Sequence, residues 1–145
     1  MKQKLIKTLL VDDQKLFLDG LESILKKELE IIVTTANGGN QAIECLKAET
    51  FDVVVLDVEM PDKNGIEVSK FIKKNYPTTK ILILTMYNDK DFVKNLMDIG
   101  VNGYILKNKS KEELVGAIHN VFIGKPHFGL DILNTLIKGF LIKKM

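Results

Sequence analysis

Arginine is absent from this chain; all 21 basic side chains are lysine. Proteins that read DNA sequence place arginine where bidentate contacts to base edges are made, so this chain by itself is a poor candidate for base-specific DNA binding. The lysines are mixed with 19 acidic residues, net charge +2, and form no basic block. A single cysteine, Cys45, allows no internal disulfide, and with two scattered histidines, His119 and His127, it cannot complete a tetrahedral zinc site. A reducing, cytoplasmic setting is the expectation. Long apolar runs are also missing, so no segment is expected to cross a membrane. Met1-Lys2-Gln3-Lys4 is basic like the start of a signal peptide, but the apolar stretch behind it is interrupted by Lys7 and closes on Asp12-Asp13, so no export signal is read. Internal repeats and low-complexity stretches are absent too.

What the chain does have is 46% hydrophobic content over 145 residues, enough for one ordinary core and a short extension. Its most apolar stretch, Phe51-Asp52-Val53-Val54-Val55-Leu56-Asp57, is short and branched, and reads as a buried parallel strand. Asp57 therefore falls at the carboxyl end of a strand, where α/β folds bind ligands. Asp12-Asp13 closes a second such run, Leu5 to Val11.

Further strand candidates are Ile31 to Thr35, Ile81 to Leu84 and Asn102 to Leu106. Between the strands the apolar period becomes helical: Phe17, Leu21, Ile24 and Leu25; Ala42, Ile43 and Leu46; Val68, Phe71 and Ile72; Phe92, Val93, Leu96 and Met97; Leu114, Ala117, Ile118 and Val121. Gly38-Gly39 and Gly65 stand near helix starts, Gly100 and Gly103 read as turn residues, and Tyr76-Pro77 closes the third helix. Ser110-Lys111-Glu112-Glu113 has a capping-box pattern. The alternation predicts (βα)5, a doubly wound, parallel five-stranded sheet in the order 2-1-3-4-5. In that order strands 1 and 3 are neighbours, and Asp12, Asp13 and Asp57 share one crevice.

Three clustered carboxylates need a cation or protons, because two unit charges about 4 Å apart repel by about 4 kcal/mol at an effective dielectric near 20. Mg2+ suits them: it takes one or two carboxylates and keeps waters for a phosphate-bearing partner. Taken singly, Asp13 also reads as a helix cap and Asp57 as a solvated loop residue. Thr85 and Lys107 tip the balance, since each ends a strand on the same edge. A metal, a nucleophile, a hydrogen-bond donor and a positive charge are the parts that hold a transferring phosphoryl group.

With these residues in place, Asp12-Asp13, Leu56-Asp57, Met60-Pro61-Asp62, Gly65, Leu84-Thr85 and Gly103-Tyr104-Ile105-Leu106-Lys107, the sequence resembles the receiver domain of two-component response regulators, with the CheY-like fold. The resemblance covers about Leu5 to Phe128. Phe17-Leu18-Asp19-Gly20-Leu21, Leu84-Thr85-Met86-Tyr87 and Gly124-Lys125-Pro126 are similar to the NarL/FixJ subfamily, whose members usually carry a LuxR-type helix-turn-helix domain after the receiver. The resemblance implies Asp57 as phosphoacceptor from a sensor histidine kinase or a small donor such as acetyl phosphate. It implies Mg2+ held by Asp13, Asp57 and the backbone carbonyl of Glu59, with Asp12 acting through a water. Lys107 would pair with one phosphoryl oxygen and Thr85 donate to another, while Thr85 and Tyr104 would act as switch residues reshaping the face made by helix 4, strand 5 and helix 5. Such a chain is a regulatory phosphoacceptor that assists its own phosphorylation and dephosphorylation, and is not an enzyme with a turned-over substrate.

Some positions depart from the broad family. Asn108 follows Lys107 where proline or a small residue is common and the bond is often cis, a form that costs about 2.5 to 4 kcal/mol without proline. Met86 is bulkier than the usual alanine or glycine and narrows access to the site. Glu59 adds a fourth carboxylate, whose side chain reads as pointing to solvent. Cys45 reads as a small buried or half-buried side chain, His119 and His127 as solvent-facing, and Lys70, Lys73 and Lys74 as an exposed helix face.

Two other classes fit the sequence less well. An aspartate-nucleophile phosphatase of the haloacid-dehalogenase type needs Asp-X-Asp on its first strand, and a flavodoxin-like cofactor binder needs a phosphate loop where Asp12-Asp13 would repel phosphate. For organisation, residues 1–124 read as the receiver and 125–145 as a linker with a C-terminal helix, the DNA-binding output domain being absent. Ile132, Leu133, Leu136, Ile137, Phe140 and Leu141 stripe that helix, ahead of Lys143-Lys144. The stripe either docks on its own domain or pairs two chains as a homodimer. A stand-alone receiver acting by protein contacts is the alternative to a regulator that reaches DNA through a further domain.

Overall fold

Four consecutive apolar side chains make β3 (Val53–Leu56), and all four are buried, as suits a strand covered on both faces. In the computed structural model, which describes residues 4–144, β3 lies between β1 (Ile6–Val11) and β4 (Lys80–Thr85). β2 (Ile31–Ala36) flanks β1, and β5 (Gly103–Leu106) flanks β4. The sheet is parallel in the expected order 2-1-3-4-5, extended by an unexpected sixth strand. That strand, β6 (His127–Phe128), pairs with β5 through Gly103↔His127 and Tyr104↔Phe128. The side chains of residues 140–144 lie outside the described residues, and with them the expectations placed on Phe140, Leu141, Lys143 and Lys144. The basic segment Met1-Lys2-Gln3 also lies outside.

Alternation along the strands divides the core in two. Val53 and Val55 join Leu10, Leu82 and Ile105 on the face covered by α1 (Lys15–Leu25) and α5 (Lys111–Phe122). Val54 and Leu56 join Leu9, Ile81, Ile83 and Tyr104 on the other face, under α2 (Gly39–Ala48), α3 (Gly65–Asn75) and α4 (Lys90–Ile99). The stripe expected on α1 is turned: Leu18, Leu21 and Leu25 are buried, Ile24 is exposed and Phe17 is half-buried, because the Phe17 ring lies against the Lys107 ammonium.

Helix ends follow local chemistry. Asn64 accepts a hydrogen bond from the Glu67 N–H (2.9 Å), and Ser110 from the Glu113 N–H (3.1 Å), each satisfying a donor that the first turn leaves open. Only this half of the capping box forms, and the Glu113 carboxylate instead lies 3.8 Å from His127 Nε2. His127 Nδ1 is 3.1 Å from the Asn120 amide, and His119 Nε2 is 3.3 Å from Glu30. Both histidines are therefore half-buried and partnered, contrary to the solvent-facing expectation; their partners are distant in sequence or pair across an element, where spacing gives no signal.

Gly100 ends α4 in the left-handed region (φ 96°), a role that favours glycine. Gly103 is a correction: it opens β5 and is no turn residue. After Gly124-Lys125-Pro126 the chain enters β6 and then α6 (Leu130–Lys144), which packs against α4 of its own fold. Ile132 is fully buried there, and Leu136 is partly buried in the same cluster. Among the described residues no peptide bond is cis, so Lys107-Asn108 is trans, and no helix is long and apolar enough to cross a membrane.

A Cβ at residue 103 would lie 2.8 Å from Leu82 Cδ1 and 2.9 Å from the His127 carbonyl oxygen. Gly103→Ala is therefore expected to cost about 1–3 kcal/mol by overpacking, read as a lower urea midpoint.

Candidate functional site

Register brings the acidic residues together. Val11 pairs with Leu56 across β1 and β3, and the Asp57 N–H donates to the Val11 carbonyl (3.1 Å), so Asp12 and Asp57 leave adjacent strands at the same level. β1 is also where the chain direction of the sheet's connections reverses, which opens a crevice at this edge. Thr85 pairs with Leu106, and the Lys107 N–H donates to the Thr85 carbonyl (2.9 Å). Four strand ends thus present Asp12, Asp57, Thr85 and Lys107 side by side.

Lys107 is the hub. Its Nζ lies 2.7 Å from Asp12 Oδ2 and 3.2 Å from Asp57 Oδ2, and donates to Gln14 Oε1 (2.8 Å). Three acceptors match the three protons of an ammonium. The Phe17 ring, with its centroid 4.4 Å from Nζ, adds the attraction of its electron-rich face. The other oxygens are held by backbone: Asp12 Oδ1 accepts from the Gln14 N–H (2.8 Å) and Asp57 Oδ1 from the Val58 N–H (2.8 Å). Asp12 and Asp57 are buried, whereas Asp13 is exposed. Gly65 starts α3 directly beneath Asp57, where a Cβ would run into the Asp57 carbonyl.

One ammonium does not balance three carboxylates. Asp12, Asp13 and Asp57 each bring a carboxylate oxygen within 4.8 Å of the other two, a cluster of hard oxygen donors that can hold a metal ion. Burial pushes the Asp12 carboxyl above its usual range, and the Asp57 charge adds to the rise, while Lys107 and the Gln14 N–H oppose it. The folded state therefore binds this proton more tightly than the unfolded chain does, so ionisation of Asp12 subtracts from stability as pH rises through the carboxylate range. The crevice opens into a cleft of about 360 Å³ lined by Asp13, Gln14, Asp57, Glu59, Met86 and Lys107. Glu59 is exposed, and Met86 stands at the rim, two-thirds exposed (66%).

A second chain of contacts leaves the site through Thr85. Its fully buried hydroxyl accepts from the Tyr87 N–H (3.4 Å), and the Tyr87 carbonyl accepts from the hydroxyl of Tyr104, whose ring is fully buried. Burial, with the charges of Asp89 and Asp57, pushes the Tyr104 hydroxyl well above its ordinary range, so it remains a donor. The edge expected from the sequence to carry Asp12, Asp13, Asp57, Thr85, Tyr104 and Lys107 also holds Gln14, Phe17 and the Tyr87 main chain. Gln14 follows an acidic pair without any motif, Phe17 counted as a core residue, and a main-chain relay has no side-chain signature.

Comparison with known proteins agrees with this geometry. Residues 8–119 match the family described as the response regulator receiver domain, and the chain belongs to it. The proteins it is similar to are response regulators of the NarL/LuxR type. It is 32% identical over 142 residues to the oxygen regulatory protein NreC of Staphylococcus haemolyticus, covering 96% of this chain and 65% of that one. It is 30% identical over 136 residues to the transcriptional regulatory protein DegU of Brevibacillus brevis, covering 93% and 58%. The chain thus spans less than two-thirds of the length of these curated relatives. Among solved structures it is similar to a LuxR-family response regulator from Aurantimonas sp. SI85-9A1 (TM-score 0.87, 26% identity, 95% and 99% covered). It is also similar to the isolated receiver domain of RcsB from Salmonella enterica serovar Typhimurium, determined with the phosphomimetic BeF3- (TM-score 0.83, 25% identity, 92% and 99% covered).

Relieving the excess charge is expected to stabilise the fold. Asp13→Asn should gain about 1 kcal/mol in metal-free buffer, the scale of one such repulsion in a largely aqueous dielectric, and added Mg2+ should shrink or reverse the difference. Urea midpoints with a chelator and with Mg2+ check both.

Proposed function

We propose that this chain is a phosphorylation-dependent signalling switch in which Asp57 accepts a phosphoryl group from a phosphohistidine of a sensor histidine kinase, or from a small donor such as acetyl phosphate. The observation that carries the reading is the Lys107 ammonium on Asp57 Oδ2, beside Thr85, at the mouth of an open acidic cleft. The relative determined with a phosphomimetic supports it.

Asp57 attacks phosphorus through a carboxylate oxygen, a P–O bond forms, and the P–N bond of the phosphohistidine breaks as the imidazole departs with a proton. Asp13, Asp57 and the Glu59 backbone carbonyl would hold Mg2+, with Asp12 acting through a water. Mg2+, when bound, neutralises the charge that carboxylates and phosphoryl oxygens bring together. Lys107 exchanges an Asp57 oxygen for a phosphoryl oxygen, and Thr85 donates its hydroxyl proton to another. Asp12 keeps Lys107 in place during the exchange.

The added charge, about −1.5 to −2 by analogy with other phosphorylated side chains, drives the output. Drawing Thr85 toward the phosphoryl group pulls on the Tyr87 N–H. Tyr104 holds the Tyr87 carbonyl, so the start of α4 follows, and the face made by α4, β5 and α5 changes. We read residues 1–124 as the receiver and 125–145 as the link to a LuxR-type output domain, through which DNA would be reached, in the cytoplasm.

Intact-mass measurement after acetyl phosphate and Mg2+ is expected to show one labile phosphoryl adduct, absent in Asp57→Asn. No adduct on the parent chain from acetyl phosphate or a kinase donor would overturn the reading. Glu59→Gln should leave the lifetime of phospho-Asp57 unchanged, because this exposed side chain reaches neither Asp57 nor Lys107 by a hydrogen bond. Tyr104→Phe should lose about 0.5–1.5 kcal/mol of stability, the worth of one hydrogen bond, without abolishing the adduct. Urea titration and intact mass check the two halves of that expectation.

A further inference from the structure

The loop between β3 and α3 is held against a helix that it does not lead into. Helix α2 starts at Gly39 behind Gly38, which has no side chain to cap it, and the cap comes from elsewhere in the chain. The carboxylate of Asp62 accepts from the N–H groups of Gly39 (3.2 Å) and Asn40 (3.0 Å), and from that of its own neighbour Lys63 (2.8 Å). These N–H groups, that of Asn40 foremost, hold the Asp62 carboxyl below the usual carboxylate range, so it bears the negative charge that a helix start favours. The two backbones also lie against each other, since a Cβ at residue 39 would run into the Lys63 carbonyl.

The same loop carries Glu59. It is closed at its base by the Gly65 N–H, which donates to the Val58 carbonyl (2.8 Å), and Val58 and Met60 are buried on either side of Glu59. Past Met60 the chain emerges at Pro61 and Asp62, both exposed, and Asp62 is where this outer part is fastened to α2. From this arrangement we infer that Asp62 is a positioning residue for the phosphorylation site: by tying the loop to the first turn of α2, it fixes the Glu59 backbone carbonyl where the proposed Mg2+ would be held. The inference rests on the phosphoacceptor reading. A loop free to sample other arrangements must be ordered when the ion binds, and that loss of entropy weakens binding.

The plainer alternative is that Asp62 only caps α2, and Gly38 separates the two roles. Gly38 has φ 169° and ψ 173°, extended backbone open to any residue, and the three atoms nearest a Cβ built there all belong to the Asp62 carboxylate. Asp62→Ala removes those atoms, so adding Gly38→Asp supplies a cap from the helix's own end without restoring the tie. The experiment compares the full parent chain with Asp62→Ala, Asp62→Asn and the double variant Asp62→Ala/Gly38→Asp. It measures the Mg2+ dissociation constant by calorimetric titration with MgCl2, and the urea midpoint in chelator.

Asp62→Ala is expected to lower the urea midpoint and to weaken Mg2+ binding about three- to tenfold, reaching at most the low end of the loss seen when a direct partner of a metal ligand is removed. Asp62→Asn, which keeps one carbonyl oxygen as acceptor, should fall between Asp62→Ala and the parent. The double variant should recover the urea midpoint while Mg2+ binding stays weak. With acetyl phosphate, the slower adduct formation of Asp62→Ala should return to the parent rate at saturating Mg2+, because Asp57, Thr85 and Lys107 are untouched.

Parental Mg2+ affinity in Asp62→Ala, or affinity recovered together with stability in the double variant, overturns the positioning role and leaves the phosphoacceptor reading intact. A parent chain that takes up no Mg2+ fails at the metal site itself, and the inference falls with it. Should Asp62→Ala not fold, the double variant decides alone, by whether its Mg2+ affinity is weakened or parental.

Discussion

The Lys107 ammonium lies between Asp12 and Asp57, and the carboxyl edge of the sheet depends on it. Two buried carboxylates on neighbouring strands would repel by several kcal/mol at the dielectric of a protein surface if nothing stood between them. Gln14 and Phe17 complete its surroundings from the start of α1, so the first helix is positioned partly by a charge it does not carry. The exposed Asp13 is outside this balance. That leftover negative charge is what suits the cleft to a hard cation and, in the proposed cycle, to a phosphate-bearing donor.

Strand alternation sends this local chemistry to one face of the molecule. Tyr104 belongs to the apolar layer beneath α2, α3 and α4, whereas the next residue, Ile105, belongs to the layer beneath α1 and α5. Tyr104 therefore lies on the α4 side, where α6 is packed. β6 reinforces that side by pairing Phe128 with Tyr104, so the chain beyond α5 is built into the sheet before it becomes a helix.

Much of this was legible in the sequence because strands buried on both faces leave an unmistakable trace. Val53 to Leu56 and Ile81 to Leu84 are uninterrupted apolar runs, and a polar residue ending such a run must sit at a sheet edge; this gave Asp57 and Thr85 their places. The (βα)5 order and the crevice followed from the alternation. Less legible was whatever depends on distant partners. β6 is two residues long and carries no periodic pattern, and it forms by pairing with Gly103 and Tyr104. Phe17 is apolar at a helical spacing, which is the signature of a core residue and carries no sign of the ammonium above its ring. His119 and His127 gained acidic partners from Glu30 and Glu113 that no local spacing announces.

The link between Thr85 and Tyr104 runs through the main chain of residue 87, whose N–H and carbonyl are each engaged by a different strand's hydroxyl. The phenol of Tyr87 takes no part in that link and is 41% exposed. Position 87 thus gives its main chain to the link and its side chain to the surface. Its side chain, set edge-on against Phe92, can change at the cost of that contact alone, while the hydrogen bonds beneath it ask only that residue 87 not be proline.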